Sequence, residues 1–384
     1  MRTHSAWGGA TRLIRLSAPI TLCVLAAGCH HQYLEPRLFA QVRKNLPEAP
    51  SADTLEVRFL SVQGFALRWR STVVMTPPLY SNPPLAAVLA GSADLPLKDA
   101  LVRSQLRPEW VKDAAAILVG HSHYDHLMDV PYISKEYAKE ATIYGSTTAA
   151  NLLEASGVPR SRITALNADG DNAVDYRPCA EAPSEGCVFK EGSEGHWVTI
   201  AGGRARIRAL CSRHSPQFAR LPVTSQGCER TLPARPPHTA DTWKLGDTLA
   251  YLIDFLDESG AVAFRVYYQD SPTAPHFGYL PGPLADERRV DVALLCAGGF
   301  NQVDDNPRGI LLNAKPRHVL LGHWENFFEP LSGELRTLIA FDLNELRRRM
   351  EQAKTAAPQG VAWDGEFWFP TPGQLFVFDR ARQE

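Results

Sequence analysis

The chain carries little net charge and no extended basic tract. Its 40 lysines and arginines stand against 42 acids, a formal net charge of -2, which excludes a general nucleic-acid binder held by phosphate contacts. Internal repeats and low-complexity tracts are missing as well, so collagen-like and wholly disordered chains are excluded. Charged residues are 21% of the total against 45% hydrophobic and 9% aromatic, a balance that rules out a polytopic membrane protein. What is there, in 384 residues, is enough chain to bury a sizeable core in one large domain or two small ones.

The N-terminus reads as an export signal. Arg2, Arg12 and Arg15 precede Leu16 to Gly28, an uncharged stretch of 13 residues that is too short to span a bilayer. The run ends Leu25-Ala26-Ala27-Gly28-Cys29, which resembles a bacterial lipobox with its leucine one place early. The resemblance implies removal of residues 1–28, lipid on Cys29, and a membrane-anchored protein. His30 in place of aspartate after the cysteine favours the outer membrane, facing the periplasm. Residues 29–54, with Pro36, Pro47 and Pro50, read as a tether, and 55–384 as the folded domain. Plain secretion is the alternative.

Cysteine usage agrees with an oxidising compartment. Cys179 and Cys187 flank one polar stretch, and Cys211 and Cys228 bracket another, so two disulfides with that pairing suit the sequence; isolated thiols are the alternative. Cys296 sits in an apolar strand pattern and reads as a buried thiol.

The hydropathy pattern gives strands at 55–60, 65–69, 73–75, 114–119, 198–210 with a turn at Gly202-Gly203, 249–254, 263–268, 290–295, 318–321 and 374–378. Helices are expected through most of 85–106, up to Gly157, and from Phe341 to Lys354. The mixture of hairpins and strand–helix units indicates a layered α/β domain. Residues 168–195 and 215–243 read as long loops at a binding edge.

The strongest signal follows the apolar run 114–119. Gly120-His121-Ser122-His123-Tyr124-Asp125-His126 places three histidines and an aspartate in six residues. In an extended loop His121 and His123 project to one side, while Asp125 and His126 start the next turn, so such a loop can offer ligands to two neighbouring metals. Neutral imidazoles with a carboxylate suit Zn²⁺, with Mn²⁺ or Fe²⁺ as alternatives.

HSHYDH matches the HxHxDH signature of the metallo-β-lactamase superfamily, and further motifs resemble the family's in order. Strand 206–210 leads to His214, strand 264–268 to Asp270, and strand 318–321 to His323. The resemblance implies a four-layer αββα sandwich and two divalent metal ions. His121, His123 and His214 would hold the first metal, Asp125, His126 and His323 the second, and Asp270 would bridge them. A hydroxide between the metals would be the nucleophile, with Asp125 orienting it. Three positions depart from the family pattern: Met75-Thr76-Pro77 replaces an Asp-Pro pair, Gln269 a glycine and Ser271 a threonine.

Trp243, His276-Phe277-Gly278 and His323-Trp324-Glu325-Asn326-Phe327-Phe328 lean towards the branch holding ascorbate-type lactonases and enzymes resembling phospholipase D that act on N-acyl phosphatidylethanolamine. His276 reads as a proton donor or substrate contact, with a surface-loop residue as the alternative. Tyr124 reads as packing under the loop, and Glu325 and Asn326 as partners of the ligands or solvated loop. Trp324, Phe327 and Phe328 read as core, with an acyl-chain pocket as the alternative. The expected activity is metal-dependent hydrolysis of a phosphodiester or phospholipid near a membrane. A lactone or cyclic amide substrate, or a metal-bearing binding lipoprotein without turnover, are the alternatives.

Overall fold

A computed structural model describes residues 51–380 apart from 167–175, 178–187, 190–195, 218–223, 276, 283, 285–287, 332–334 and 356–361. The export signal, Cys29, His276, Cys179 and Cys187 therefore lie outside the described residues.

Two seven-stranded sheets face each other. The first has the order β16-β1-β2-β3-β4-β5-β6, from strands β1 Thr54–Ser61, β2 Gly64–Trp69, β3 Thr72–Met75, β4 Ala114–Leu118, β5 Thr142–Gly145, β6 Ile163–Ala165 and β16 Leu375–Asp379. The second has the order β15-β14-β13-β12-β11-β10-β9, from β9 Trp197–Ile200, β10 Ala205–Ser212, β11 Thr248–Leu256, β12 Val262–Gln269, β13 Val292–Cys296, β14 His318–Gly322 and β15 Glu366–Trp368. A small hairpin pairs β7 Tyr176–Arg177 with β8 Val188–Phe189. Each large sheet is antiparallel in one half and parallel in the other: β3 to β6 run parallel in the first, β12 to β15 in the second.

Strand alternation builds the layers. On β1, β2 and β4 the residues Leu55, Val57, Phe59, Phe65, Leu67, Trp69, Ala116 and Leu118 point between the sheets. They meet Tyr251, Ile253, Phe255, Phe264, Val266 and Leu294 from the other side. The intervening residues turn outward. Ile117 and Val119 meet the helices over the first sheet, and Leu252, Tyr267, Ala293 and Leu321 those over the second. Three cores between four layers make an αββα sandwich, the architecture the resemblance implies.

The helices are α1 Leu85–Ala90, α2 Asp99–Gln105, α3 Pro108–Val111, α4 Tyr124–Leu127, α5 Val130–Glu136, α6 Thr147–Ala155, α7 Arg308–Ala314 and α8 Leu343–Ala353. Helix fills most of 85–106, as expected, but in two pieces. Gly91 turns left-handed at φ 69° and ends α1, and α2 begins only after Pro96. The Gly120 loop, the segment after β10, and the ends of β12 and β14 converge at one edge of the sandwich. Strand C-termini in such sheets present their loops outward there.

Candidate metal centre

Five residues separate β4 from the single turn α4, and the last of them, His123, is extended. His121 and His123 lie on one side, and Asp125 and His126 start the turn, while Tyr124 is buried in the core beneath. Gly120 is demanded by close approach, since a Cβ there would stand 2.2 Å from the Cβ of Asp270.

The three distant ligand candidates all reach this loop. The His121 ring lies 4.9 Å from that of His123 and 4.8 Å from that of His214. One nitrogen or oxygen each from His121, His123 and His214, and from His121, Asp125 and His126, falls within 4.8 Å of the others. The rings of His126 and His323 stack at 5.2 Å, and His323 Nε2 is 3.2 Å from Asp125 Oδ2. Asp270 lies between the two groups: its Oδ2 is 2.8 Å from His121 Nδ1, and its Oδ1 is 2.8 Å from His126 Nδ1. The second contact is close but misaligned for N–H donation, leaving His126 Nδ1 without a hydrogen bond.

The surrounding acceptors dictate which nitrogens are bare. Carbonyl oxygens only accept, so His123 must donate from Nε2 to Ser225 O at 3.0 Å, and His214 from Nδ1 to Ser215 O at 2.7 Å. His121 donates from Nδ1 to the Asp270 carboxylate, and its Nε2 is buried with no hydrogen-bond partner. Each ring in its neutral form therefore keeps one lone pair on the opposite nitrogen. Burial favours that form: it pushes His121 down, His123 down to about 3 and His214 well below the usual imidazole range. Burial pushes the Asp125 and Asp270 carboxyls up, but the neighbouring His126, with His323 for Asp125 and His121 for Asp270, outweighs it and holds both below the carboxylate range. His126 is pushed down by burial and raised on balance by Asp270 and Asp125.

A buried set of imidazoles, with His121, His123 and His214 favoured neutral, and ionised carboxylates, with an orphaned ring nitrogen, fits divalent cations. The cluster is capable of binding metal.

Several supports were not visible in the sequence. The Tyr268 hydroxyl donates to Asp270 Oδ1. Thr224 Oγ1 is 2.9 Å from His123 Nε2, and Ser271 Oγ accepts from Ser215 N at 2.9 Å, tying the His214 and Asp270 loops together. Where the resemblance expects an acid, Thr76 donates to Gln63 O at 2.8 Å and accepts from Phe65 N at 2.9 Å, binding the β1–β2 turn. The buried Asp129 accepts from Tyr80 N at 2.6 Å and Ser81 N at 3.0 Å, which fastens the segment after β3 to the loop-bearing helices. Only the aromatic character of Tyr268, on an alternating strand beside Asp270, hinted at any of these.

The remaining candidates fall as follows. Trp324 and Phe327 are core, and Phe327 meets the His323 ring edge-on at 4.9 Å. Glu325 is buried against the β1–β2 turn. Cys296 is a free, buried thiol.

No family model and no curated protein matches the chain. Solved structures do resemble it. Igni18, a metallo hydrolase of the archaeon Ignicoccus hospitalis, is 16% identical, with 85% of this chain and 99% of that one covered at a TM-score of 0.46. The metallo-β-lactamase fold protein YhfI of Bacillus subtilis is 11% identical, covering 85% and 100% at 0.42. Isothiocyanate hydrolase from Delia radicum gut bacteria is 14% identical, covering 85% and 99% at 0.41.

Proposed function

We propose that the chain is a metal-dependent hydrolase in which His121, His123 and His214 hold one divalent cation, Asp125, His126 and His323 a second, and Asp270 touches both. The observation that carries this reading is the position of Asp270, one carboxylate whose two oxygens each face a different histidine group at 2.8 Å. Zinc is the cation this donor set suits best. When bound, such a pair supplies a water acidic enough to ionise near neutral pH and positive charge for a developing oxyanion.

The protein's own part is positional. Ser225, Ser215 and Asp270 take one N–H each from His123, His214 and His121, so the opposite nitrogens face inward. The carboxylate of Asp125, held by His323 at 3.2 Å, accepts and orients a proton beside the nucleophile's place. His276 is proposed as the donor to the leaving group.

The proposed substrate is a phosphodiester of the phospholipid type. Support comes from the lipobox-like residues before Cys29, which would tether the domain at a membrane surface. No helix of the described residues is long and apolar enough to cross a membrane. Replacement of Cys29 by serine is expected to move the protein from the membrane fraction to the soluble fraction.

Hydrolysis of a panel of phosphodiesters, lactones and β-lactams by the zinc-loaded protein tests the reading. Phosphodiester turnover that falls at least about a hundredfold in His121→Ala is expected. Turnover of the lactone alone replaces the substrate assignment, and no turnover of any member overturns the enzyme.

A further inference from the structure

Two non-glycine residues near the centre hold left-handed backbones: Val62 at φ 56° in the β1–β2 turn, and His323 at φ 58°. A β-branched residue rarely adopts this conformation, and such strain persists only where the surroundings enforce it. Here the two strained residues grip each other, because His323 N donates to Val62 O. Val62 N donates in turn to Glu325 Oε1 at 2.5 Å, and the Ser61 hydroxyl reaches the same oxygen at 3.4 Å. Glu325 is 1% exposed. The turn is also joined to the other side of the centre, since Gln63 Nε2 donates at 2.9 Å to the carbonyl of Gln269, the residue before Asp270. The segments lie in direct contact: a Cβ on Gly322 would stand 2.4 Å from Gln63 Oε1 and 2.7 Å from Val62 O.

We propose that Glu325 is a positioning residue that acts through Val62 to hold His323 on Asp125. Without its carboxylate the Val62 N–H is buried with no acceptor. The turn then shifts, the grip on His323 N loosens, and the backbone relaxes away from positive φ. The imidazole swings off Asp125 Oδ2, which weakens the cation site made by Asp125, His126 and His323. The turn reaches the site of His121, His123 and His214 only indirectly, through Gln63 and the Gln269 carbonyl beside Asp270, so that site is expected to change less. This inference rests on the two-cation reading above.

The test titrates zinc into the full chain against a chelating dye, with circular dichroism recording that each variant is folded. The wild type binds two equivalents. Glu325→Ala is expected to weaken one of them about 10- to 100-fold and leave the other within about threefold. Glu325→Gln, which keeps an acceptor oxygen, restores most of the loss. His323→Ala weakens the same equivalent, and adding Glu325→Ala to it costs nothing further, because one residue acts through the other. If Glu325→Ala does not fold, Glu325→Asp carries the test, since it keeps the carboxyl group but withdraws the oxygen from Val62. Two undiminished equivalents in the variant that folds, an equal loss at both, or an additive double variant overturns the positioning role. A wild type that takes up no zinc overturns the two-cation reading and this inference together.

Discussion

Tyr268 is a residue on which the centre depends although no metal-ligand motif contains it. Its ring fills the core between the sheets, and its hydroxyl donates to Asp270. Tyr268→Phe keeps the ring and deletes the donor. It is expected to lower stability by about 1–2 kcal/mol in urea unfolding and to weaken zinc binding; unchanged values for both would show that the hydroxyl does not position Asp270. Gly120 works by absence. A methyl group there would sit 2.2 Å from Asp270 Cβ, so Gly120→Ala is expected to cost about 1–3 kcal/mol and displace that carboxylate, read as a loss of bound zinc. The cluster itself was legible in the sequence because HSHYDH is local and each distant partner follows an apolar strand. The roles of Val62 and Gln63 were not, because they arise from contacts with segments more than two hundred residues away, and Tyr268, two residues from Asp270, belongs to no ligand motif. Glu325 was visible as a candidate, but nothing in its own neighbourhood said which segment it would hold.

Elements behave as their patterns suggest where alternation or capping is strong. Helix α8 starts at Asp342, whose carboxylate accepts from Glu345 N at 2.9 Å, and it buries Leu346 and Met350. Asp342→Ala should cost about 1 kcal/mol, measured by thermal or urea unfolding. Where breakers interrupt the pattern the reading from sequence did not place the break, as between the two helices of 85–106. The short strands β5, β6 and β15 escaped notice because three or four residues carry too little periodicity.

Strand β14 carries a titrating group remote from the centre. His318 stacks near Trp368 and Phe378. Burial, reinforced by Arg317 and Arg289, pushes its imidazole down to about 4. The unfolded chain then binds a proton near pH 6.5 that the folded chain refuses. Stability is therefore full above pH 6.5 and falls as the pH drops from 6.5 towards 4, by up to about 3 kcal/mol. Urea midpoints of the wild type and His318→Gln should converge across that window; parallel curves would contradict the assignment.

For the whole molecule, the two sheets supply the stability and the loops at one edge supply the chemistry. The mixture of hairpins and strand–helix units indicated a layered α/β domain, and the order of the four layers was what the resemblance carried by HSHYDH implied. That 215–243 would lie at the binding edge was legible, but not that Thr224 and Ser225 would be the residues on His123, since its prolines and polar residues carry no period. A cation that binds the folded chain alone stabilises it by mass action. Stripping metal with a chelator should thus lower the melting temperature by at least about 5 °C, and re-adding zinc should restore it. No change would mean the cluster is held together without cations.

The most direct measurement is a crystal structure of the zinc-loaded protein with anomalous scattering recorded at the zinc edge. Two peaks are expected, one among His121, His123 and His214 and one among Asp125, His126 and His323, with Asp270 reaching both. An empty cluster, or zinc found only elsewhere on the protein, would contradict the account at its centre.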